Sequence, residues 1–372
     1  MKGNDNKPTA IDLFCGCGGL TTGLKRAGFR VLAAVDIDPL SIKTYRVNHR
    51  KVKVSEGDIR KLDPLEVLKT IDLKVGDLAL LAGCPPCQGF STLRTLNGAV
   101  DAKDPRNDLL LEFQRFVEVL RPHAVMMENV PGLADDKRFI DFCKKMKKLG
   151  YLGDYRVLNA ADYGVPQRRH RLIYLAGLGT KIPFAEKARI HKTVKHAIGG
   201  LPKAGTSGDP VHDMPENRTQ RIRELIRRIP KNGGSRTDLP QEYQLDCHNR
   251  CTGFYDVYGR MAWDDVAPTI TSGCFNPSKG RFLHPEENRA ITMREAALLQ
   301  GFPRQYKFPT TTNKCAVALM IGNALPPPFI AAHGRGVLVT LGGPDQVPVP
   351  PQPVTQQHSD TPEVRKGNRA EH

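Results

Sequence analysis

The chain has 372 residues, of which 40% are hydrophobic and 25% charged, the composition of an ordinary globular protein. Lys and Arg number 55 against 39 Asp and Glu, a formal net charge of +16, which favours nucleic acid as a partner over an anionic membrane. No apolar run approaches the ~18 residues of a membrane span, and the N-terminus has no apolar signal region. The nine cysteines therefore favour a reducing cytoplasm over a disulfide framework.

The beginning of the chain predicts a nucleotide-binding βαβ unit. A buried strand from Thr9 to Phe14 leads into a glycine-rich turn, and a helix with one apolar face then ends at Gly28. The strand Phe29–Val35 closes with Asp36, placed to accept hydrogen bonds from ribose hydroxyls. The turn is tighter than G-x-G-x-x-G, which suits a nucleoside without phosphates. A plain glycine turn in any α/β protein is the alternative.

A third strand, Val52–Ser55, precedes Asp58, whose carboxylate suits an adenine amino group or a simple surface turn. A helix at Leu65–Ile71 and a strand at Asp77–Ala82 follow. Strand and helix thus continue to alternate.

The loop Gly83–Ser91 follows that strand and contains two cysteines three residues apart, Cys84 and Cys87. Cysteine is the best neutral-pH nucleophile among side chains, and the two intervening prolines fix where its sulfur points. A structural cysteine pair, a redox loop or a zinc site are the alternatives, although a second Cys-x-x-Cys is missing. From Thr92 to Lys103 the pattern predicts a loop, and a helix follows.

The strand Ala124–Met127 ends in Glu128, which is either an acid with a tuned pKa or a loop-capping residue. A basic helix at Phe139–Leu149 and a strand at Tyr155–Leu158 come next.

Arg169 and Arg171 precede the strand Leu172–Ala176, and alternation puts both on the same side. They suit a phosphate, a carboxylate partner or a solvated edge.

The segment 185–285 is rich in Gly, Pro, Asn and Arg, and its apolar runs are short. It contains one basic amphipathic helix, Ile222–Ile229, followed by the glycine loop Lys231–Arg236. The pair suits a nucleic-acid surface, or a docking helix with arginines that extend to solvent.

Regular patterning returns with a helix at Ile291–Leu299, and Phe329–Leu341 is apolar enough to pack on the first domain. From Gly342 the chain is rich in Pro and Gln, which predicts a disordered tail.

Five stretches in this order make the chain resemble the DNA cytosine-5 methyltransferases of bacterial and phage type. They are Asp12–Leu20, Pro86-Cys87-Gln88, Glu128-Asn129-Val130, Gln167–Arg171 and Gly322-Asn323-Ala324. The resemblance implies a doubly wound, Rossmann-like α/β domain that binds S-adenosylmethionine, with a smaller inserted target-recognition domain. The expected boundaries are 8–184 for the catalytic domain, 185–285 for recognition, 286–341 for a return segment and 342–372 for the tail.

The resemblance also implies site residues. Cys87 would be the nucleophile, Glu128 the acid at ring nitrogen 3, and Arg171, with Arg169, the holder of the cytosine carbonyl and of Glu128. The expected cofactor-binding residues are Asp12, Phe14, Gly16, Gly18, Gly19, Leu20, Asp36, Ile37, Asp58, Ile59, Pro85, Asp104, Asn323 and Ala324. The expected DNA-binding residues are Ser91, Arg94, Arg228, Gly233, Gly234, Arg236 and Arg260. No metal is expected.

The implied activity is methyl transfer to carbon 5 of a flipped-out cytosine in a specific double-stranded DNA sequence. We expect a monomer in the bacterial cytoplasm, associated with the nucleoid, with a companion restriction endonuclease as a further partner. An RNA (tRNA) cytosine-5 methyltransferase is the first alternative, and the long segment between Arg171 and Gly322 favours DNA over it. A non-catalytic DNA-binding relative is the second, and it normally lacks the intact Cys87, Glu128 and Arg171 seen here.

Overall fold

The structure is a computed structural model and describes residues 7–86, 109–245, 256–309 and 313–342. Four of the predicted site residues, Cys87, Ser91, Arg94 and Asp104, lie outside the described residues, and so does the predicted tail beyond Gly342.

Seven strands of the described residues form one sheet in the order β3-β2-β1-β4-β5-β7-β6. The first five strands are parallel, and β7 runs antiparallel between β5 and β6. The strands are β1 Thr9–Leu13, β2 Arg30–Asp36, β3 Lys53–Glu56, β4 Leu80–Gly83, β5 Ala124–Asn129, β6 Tyr151–Asn159 and β7 His170–Leu178. The order reverses between β1 and β4, which is the switch point where ligands bind in doubly wound sheets.

The helices of the described residues are α1 Gly19–Ala27, α2 Pro39–Asn48, α3 Pro64–Thr70, α4 Leu109–Leu120, α5 Lys137–Lys148, α6 Val194–Ile198, α7 Gln220–Arg228, α8 Met293–Leu299, α9 Lys314–Asn323 and α10 Pro327–Thr340. As predicted, α1 ends at Gly28, whose φ of 122° is one that residues with a side chain rarely adopt. The helix α2, which the sequence pattern did not indicate, begins with Asp38 accepting from the amides of Leu40 and Ser41.

Helices cover both faces of the sheet. Alternate residues of β1 point to opposite sides, so Ala10 packs with α1 and α10, and Ile11 packs with α3, α4 and α5. The predicted doubly wound α/β fold is therefore confirmed.

A third apolar cluster lies off the sheet. It joins α6 to α8 and α9 and includes Met261 and Phe282 from the intervening segment. The helix α10 then returns to pack along α1. The segment 185–285 thus shares its core with part of the return segment, and the predicted domain boundaries stay predictions.

The stretch Lys314–Thr340, which spans α9 and α10, is long and apolar enough by composition to cross a membrane. Within the described residues it is the one helical stretch that passes that test, and 67% of its apolar window is buried inside the protein. A helix buried to this extent matches the core helix of a folded domain, because its apolar side chains already face protein.

Candidate active site

The carboxyl ends of the parallel strands bring the predicted site residues to one edge. In the sheet register Leu13 lies opposite both Val35 and Gly83, and Gly83 lies opposite Met127. The residue that follows each of these four aligned positions is a predicted or newly found site residue: Phe14, Asp36, Cys84 and Glu128. These four residues therefore stand in a row beside the switch point.

The turn after β1 bends through three residues with positive φ: Phe14 at 60°, Gly16 at 51° and Gly18 at 99°. Asp36 holds it from the next strand, because its Oδ2 accepts from the amide of Gly16 at 2.7 Å and its Oδ1 from the amide of Asp38 at 2.9 Å. A side chain at Gly16 would meet no atom of the described residues within 4 Å, so this side of the turn is open with respect to them.

The other side of the turn is tightly packed. A Cβ at Gly18 would lie 2.5 Å from Nε2 of His49, and one at Gly19 would lie 2.4 Å from the carbonyl oxygen of Leu325. Tyr306 donates its hydroxyl to the carbonyl of Cys17 and lies 3.1 Å from Nε2 of His49. The side of the turn that faces His49, Tyr306 and Leu325 is thus held by packing, while the side at Gly16 stays open.

Asp12 and Leu20, two of the predicted cofactor contacts, are buried beneath this turn. The hydroxyl of Thr21 donates to Oδ2 of Asp12 at 2.6 Å and lies 2.7 Å from the hydroxyl of Tyr45. Burial raises the pKa of Asp12 to about 7, although the hydrogen bond from Thr21 acts in the opposite direction. The other oxygen of Asp12, Oδ1, has no hydrogen-bond partner among the described residues.

The remaining cofactor candidates near β2 and β3 differ in exposure. Ile37 leaves 63% of its surface exposed directly beside Asp36, unusual for an isoleucine, and Ile59 is buried. Asp58 caps the short helical turn Ile59–Lys61, and its carboxylate contacts Nε of Arg60 at 2.9 and 3.0 Å. That ion pair lowers the pKa of Asp58.

Glu128 is the buried acid of the edge, with 2% of its surface exposed. Its Oε2 accepts from the thiol of Cys84 at 2.8 Å, and its Oε1 lies 3.0 Å from Nε of Arg171. Among the described residues Oε1 has this ion pair and no hydrogen bond of normal geometry. Burial raises the pKa of Glu128, and the positive charge of Arg171 opposes the shift only in part.

Pro85 is buried at the start of the cysteine loop. Its carbonyl accepts from the side-chain amide of Asn129 at 2.9 Å. The residue after the buried acid therefore anchors the segment that leads to Cys87.

Arg169 serves a different purpose from Arg171. Its guanidinium is buried and donates to the carbonyl of Ile270 at 3.0 Å and to that of Gly322 at 2.8 Å. Gln167, also buried, accepts from the amide of Ile270 at 2.8 Å. Both side chains thus join the edge of the sheet to Ile270, and Arg169 also joins it to α9. Arg169 acts on Glu128 only through its charge.

The segment after α9 folds back beside the glycine turn. Asn323 is exposed there, and the Cβ of Ala324 lies 3.3 Å from where a side chain at Gly19 would begin. Gln300, from the end of α8, donates to the carbonyl of Ala324 and secures this contact.

The predicted DNA contacts of the segment 185–285 divide into two kinds. Arg228 is exposed on α7 and lies over the ring of Tyr243, 4.0 Å from its centroid. Gly233 has a φ of 101°, and a Cβ on the buried Gly234 would lie 2.4 Å from the carbonyl oxygen of Pro230. Arg236 is buried, with its NH1 3.4 Å from Oε1 of Gln244.

Arg260 requires a correction. It is fully buried, and its guanidinium donates to main-chain carbonyls including those of Ile226 at 2.7 Å, Ile229 at 3.1 Å and His284 at 3.0 Å. The prediction that Arg260 contacts DNA is wrong in this structure, because its donors are consumed inside the protein. Arg236 is buried as well, so its side chain is not exposed on the protein surface.

Sequence reasoning missed three residues that shape the site: Cys84 as a partner of Glu128, Tyr306 below the glycine turn, and Gln300 beside Ala324. Of these, only Cys84 had a visible signal, its position in the loop after β4.

The fold places the chain among Rossmann-like α/β proteins, whose ligand sites lie at the switch point of the sheet. A sequence model of the C-5 cytosine-specific DNA methylases matches residues 9–337. The chain belongs to this family.

The relatives agree with that assignment. The type II methylase M.HgiDII of Herpetosiphon aurantiacus is 39% identical over 85% of this chain and 91% of its own. The type II methyltransferase M1.HphI of Haemophilus parahaemolyticus is 35% identical over 89% of this chain and 86% of its own. Among solved structures, an Escherichia coli prophage protein described as a candidate DNA modification methyltransferase is 26% identical, with a TM-score of 0.66 over 90% of this chain and 100% of that one.

Proposed function

We propose that the protein transfers a methyl group from S-adenosylmethionine to carbon 5 of a flipped-out cytosine in a specific double-stranded DNA sequence, through a covalent adduct with Cys87. The observation that carries the proposal is Oε1 of Glu128. It is a buried carboxylate oxygen without a hydrogen-bond partner among the described residues, beside Arg171 and at the end of the strand next to the cysteine loop.

The residues of the sheet edge fit the cofactor. The open face at Gly16 leaves room for the methionine part, and Phe14 lies beside it. Asp36 keeps unused lone pairs for ribose hydroxyls, and the exposed Ile37 offers an apolar face to adenine. S-adenosylmethionine bound here supplies an electrophilic methyl group. Asp58, Asn323 and Ala324 are proposed as further contacts, while Asp12 supports the turn from below.

The chemistry begins with the nucleophile. Carbon 5 of cytosine is a poor nucleophile within an aromatic ring, and a stacked base is out of reach, so base flipping at a cost of a few kcal/mol must come first. Addition of the Cys87 thiolate to carbon 6 breaks aromaticity and turns carbon 5 into an enamine-like nucleophile. After methylation, loss of the carbon 5 proton and expulsion of the thiolate restore the ring.

Glu128 and Arg171 act on the opposite edge of the base. Thiolate addition moves negative charge to nitrogen 3 and the carbonyl oxygen, so a proton donor must be ready there. The raised pKa of Glu128 keeps its carboxyl protonated to a higher pH than that of an ordinary glutamate, so that it can supply this proton. Arg171 lies close enough to orient Oε1 and to hold the carbonyl oxygen.

For DNA, we propose that residues 185–285 form the target-recognition domain, between the catalytic part at 8–184 and the return segment 286–341. The exposed arginine Arg228 and the loop at Gly233 and Gly234 are its proposed DNA contacts, together with Ser91 and Arg94. The names of the relatives support a type II modification role in a bacterial cell, with a companion endonuclease that cleaves the same site.

The test is methyl transfer from radiolabelled S-adenosylmethionine to duplex DNA and, in parallel, to tRNA. We expect label in DNA, no label after Cys87→Ser, and most of the activity kept after Cys84→Ser. Label in tRNA alone would favour the RNA alternative. Loss of activity in Cys84→Ser with activity kept in Cys87→Ser would refute the choice of nucleophile.

A further inference from the structure

Cys84 and Pro85 form hydrogen bonds with two consecutive residues at the end of β5, Glu128 and Asn129. The thiol of Cys84 contacts Oε2 of Glu128 at 2.8 Å, and the carbonyl of Pro85 accepts from Asn129 at 2.9 Å. The amide of Cys84 lies 3.3 Å from the carbonyl of Leu13 in β1. Cys84 is therefore held on both sides, and its thiol has a fixed direction.

Oε2 and Oε1 of Glu128 stand in different surroundings. Oε2 receives the thiol hydrogen, whereas Oε1 has no hydrogen-bond partner among the described residues and lies nearest to Arg171. The thiol at Oε2 and the guanidinium of Arg171 at Oε1 therefore restrain the carboxyl group from both sides. Without the thiol, the carboxyl group keeps, among the described residues, only its contact with Arg171.

We infer that Cys84 is a positioning residue for the proposed reaction: its thiol donates to Oε2 of Glu128 and, with Arg171 beside Oε1, fixes the orientation of the carboxyl group that gives its proton to nitrogen 3 of the flipped cytosine. This inference rests on the proposed function. The Cys84 thiol keeps its own proton throughout, and burial beside Glu128 raises its pKa well above the usual range, so it acts as a donor and not as a nucleophile.

The charged and titratable groups that act on Glu128 from the described residues are Arg171, Arg169 and Cys84. A hydrogen bond donated to the carboxylate stabilises its ionised form and lowers its pKa. Removing the donor while both arginines stay must therefore raise the pKa of Glu128. Because a general acid loses activity as pH rises through its pKa, the alkaline limb of the rate profile must then move to higher pH.

The experiment compares wild type, Cys84→Ala and Cys84→Ser by single-turnover methylation of DNA across pH. For Cys84→Ala we expect a roughly tenfold lower rate at the optimum, an alkaline limb shifted upward by about half a unit or more, and KM for DNA and cofactor within about twofold. Cys84→Ser keeps a donor and should restore the rate to within about threefold and the limb to its wild-type position. Cys315→Ala, at an exposed cysteine on α9, is the matched control and should leave the profile unchanged.

A Glu128→Ala background separates positioning from packing. If Cys84 acts through Glu128, adding Cys84→Ala to that background should change the rate less than about twofold. An unshifted limb in Cys84→Ala, or an equal loss in both backgrounds, would overturn the inference while leaving the proposed function intact. Absence of DNA methylation by the wild-type protein would instead contradict the proposed function itself.

Discussion

The carboxyl edge of the sheet and the segment 185–285 use polar side chains in opposite ways. At the edge, the strands satisfy their own main-chain groups, so the carboxylates of Asp36 and Glu128 keep some lone pairs available. The segment 185–285 has few regular elements, so many of its carbonyls need other donors. Arg260 supplies them, and its charge is lost to the surface. Regular main-chain hydrogen bonding thus leaves the polar side chains of the edge available for chemistry, whereas in the segment 185–285 Arg260 is used to bond main-chain carbonyls.

The claim that the carboxyl edge of the sheet keeps Glu128 available for chemistry is tested most strongly by Glu128→Gln. This change keeps the size of the side chain and removes the acid, so we expect a drop in the methylation rate of about 10²- to 10⁴-fold. Cofactor binding, measured by calorimetry, should be unchanged. A variant within about threefold of wild type would show that Glu128 is not the proton donor.

The claim that the segment 185–285 uses Arg260 to bond its own carbonyls is tested by Arg260→Met. Methionine keeps much of the volume and leaves the carbonyls of Ile226, Ile229 and His284 without their donor, so we expect a loss of about 3 kcal/mol in the free energy of unfolding. The matched control is Arg228→Ala at the exposed arginine of α7. There we expect unchanged stability and weaker DNA binding whose slope against log salt falls by about one.

Urea unfolding and DNA binding at several salt concentrations measure both variants. If Arg260→Met unfolds like wild type and loses DNA affinity, the burial of Arg260 does not describe the protein in solution.

Asp36→Asn is expected to have the smallest effect. The amide can accept only through its single oxygen, so one of the hydrogen bonds from Gly16 and Asp38 is lost along with the charge that would face the ribose. We expect KM for S-adenosylmethionine to rise about tenfold with the rate at saturation within about threefold. Glu56→Gln, at the end of the next strand, is the control and should leave KM unchanged.

Alternation of apolar residues predicted most of the fold, because buried strands and helices with one apolar face leave a period in the sequence. The strand β6 extends over Tyr151–Asn159, well beyond the predicted Tyr155–Leu158, since an edge strand with most of its side chains exposed carries no such period. The row of site residues was predictable because parallel register aligns the strand ends. The sequence could not predict which arginines are buried, because an arginine that donates to main-chain carbonyls and one that binds phosphate look the same in a sequence.

The central claim is that the sulfur of Cys87 bonds to carbon 6 of the target cytosine. Duplex DNA with 5-fluorocytosine at the target site, incubated with the protein and S-adenosylmethionine, tests it directly, because fluorine cannot leave carbon 5 as the proton does. We expect a stable protein–DNA conjugate that peptide mass spectrometry assigns to Cys87. A substrate that is methylated in its unmodified form and yields no conjugate in its fluorinated form would contradict the claim.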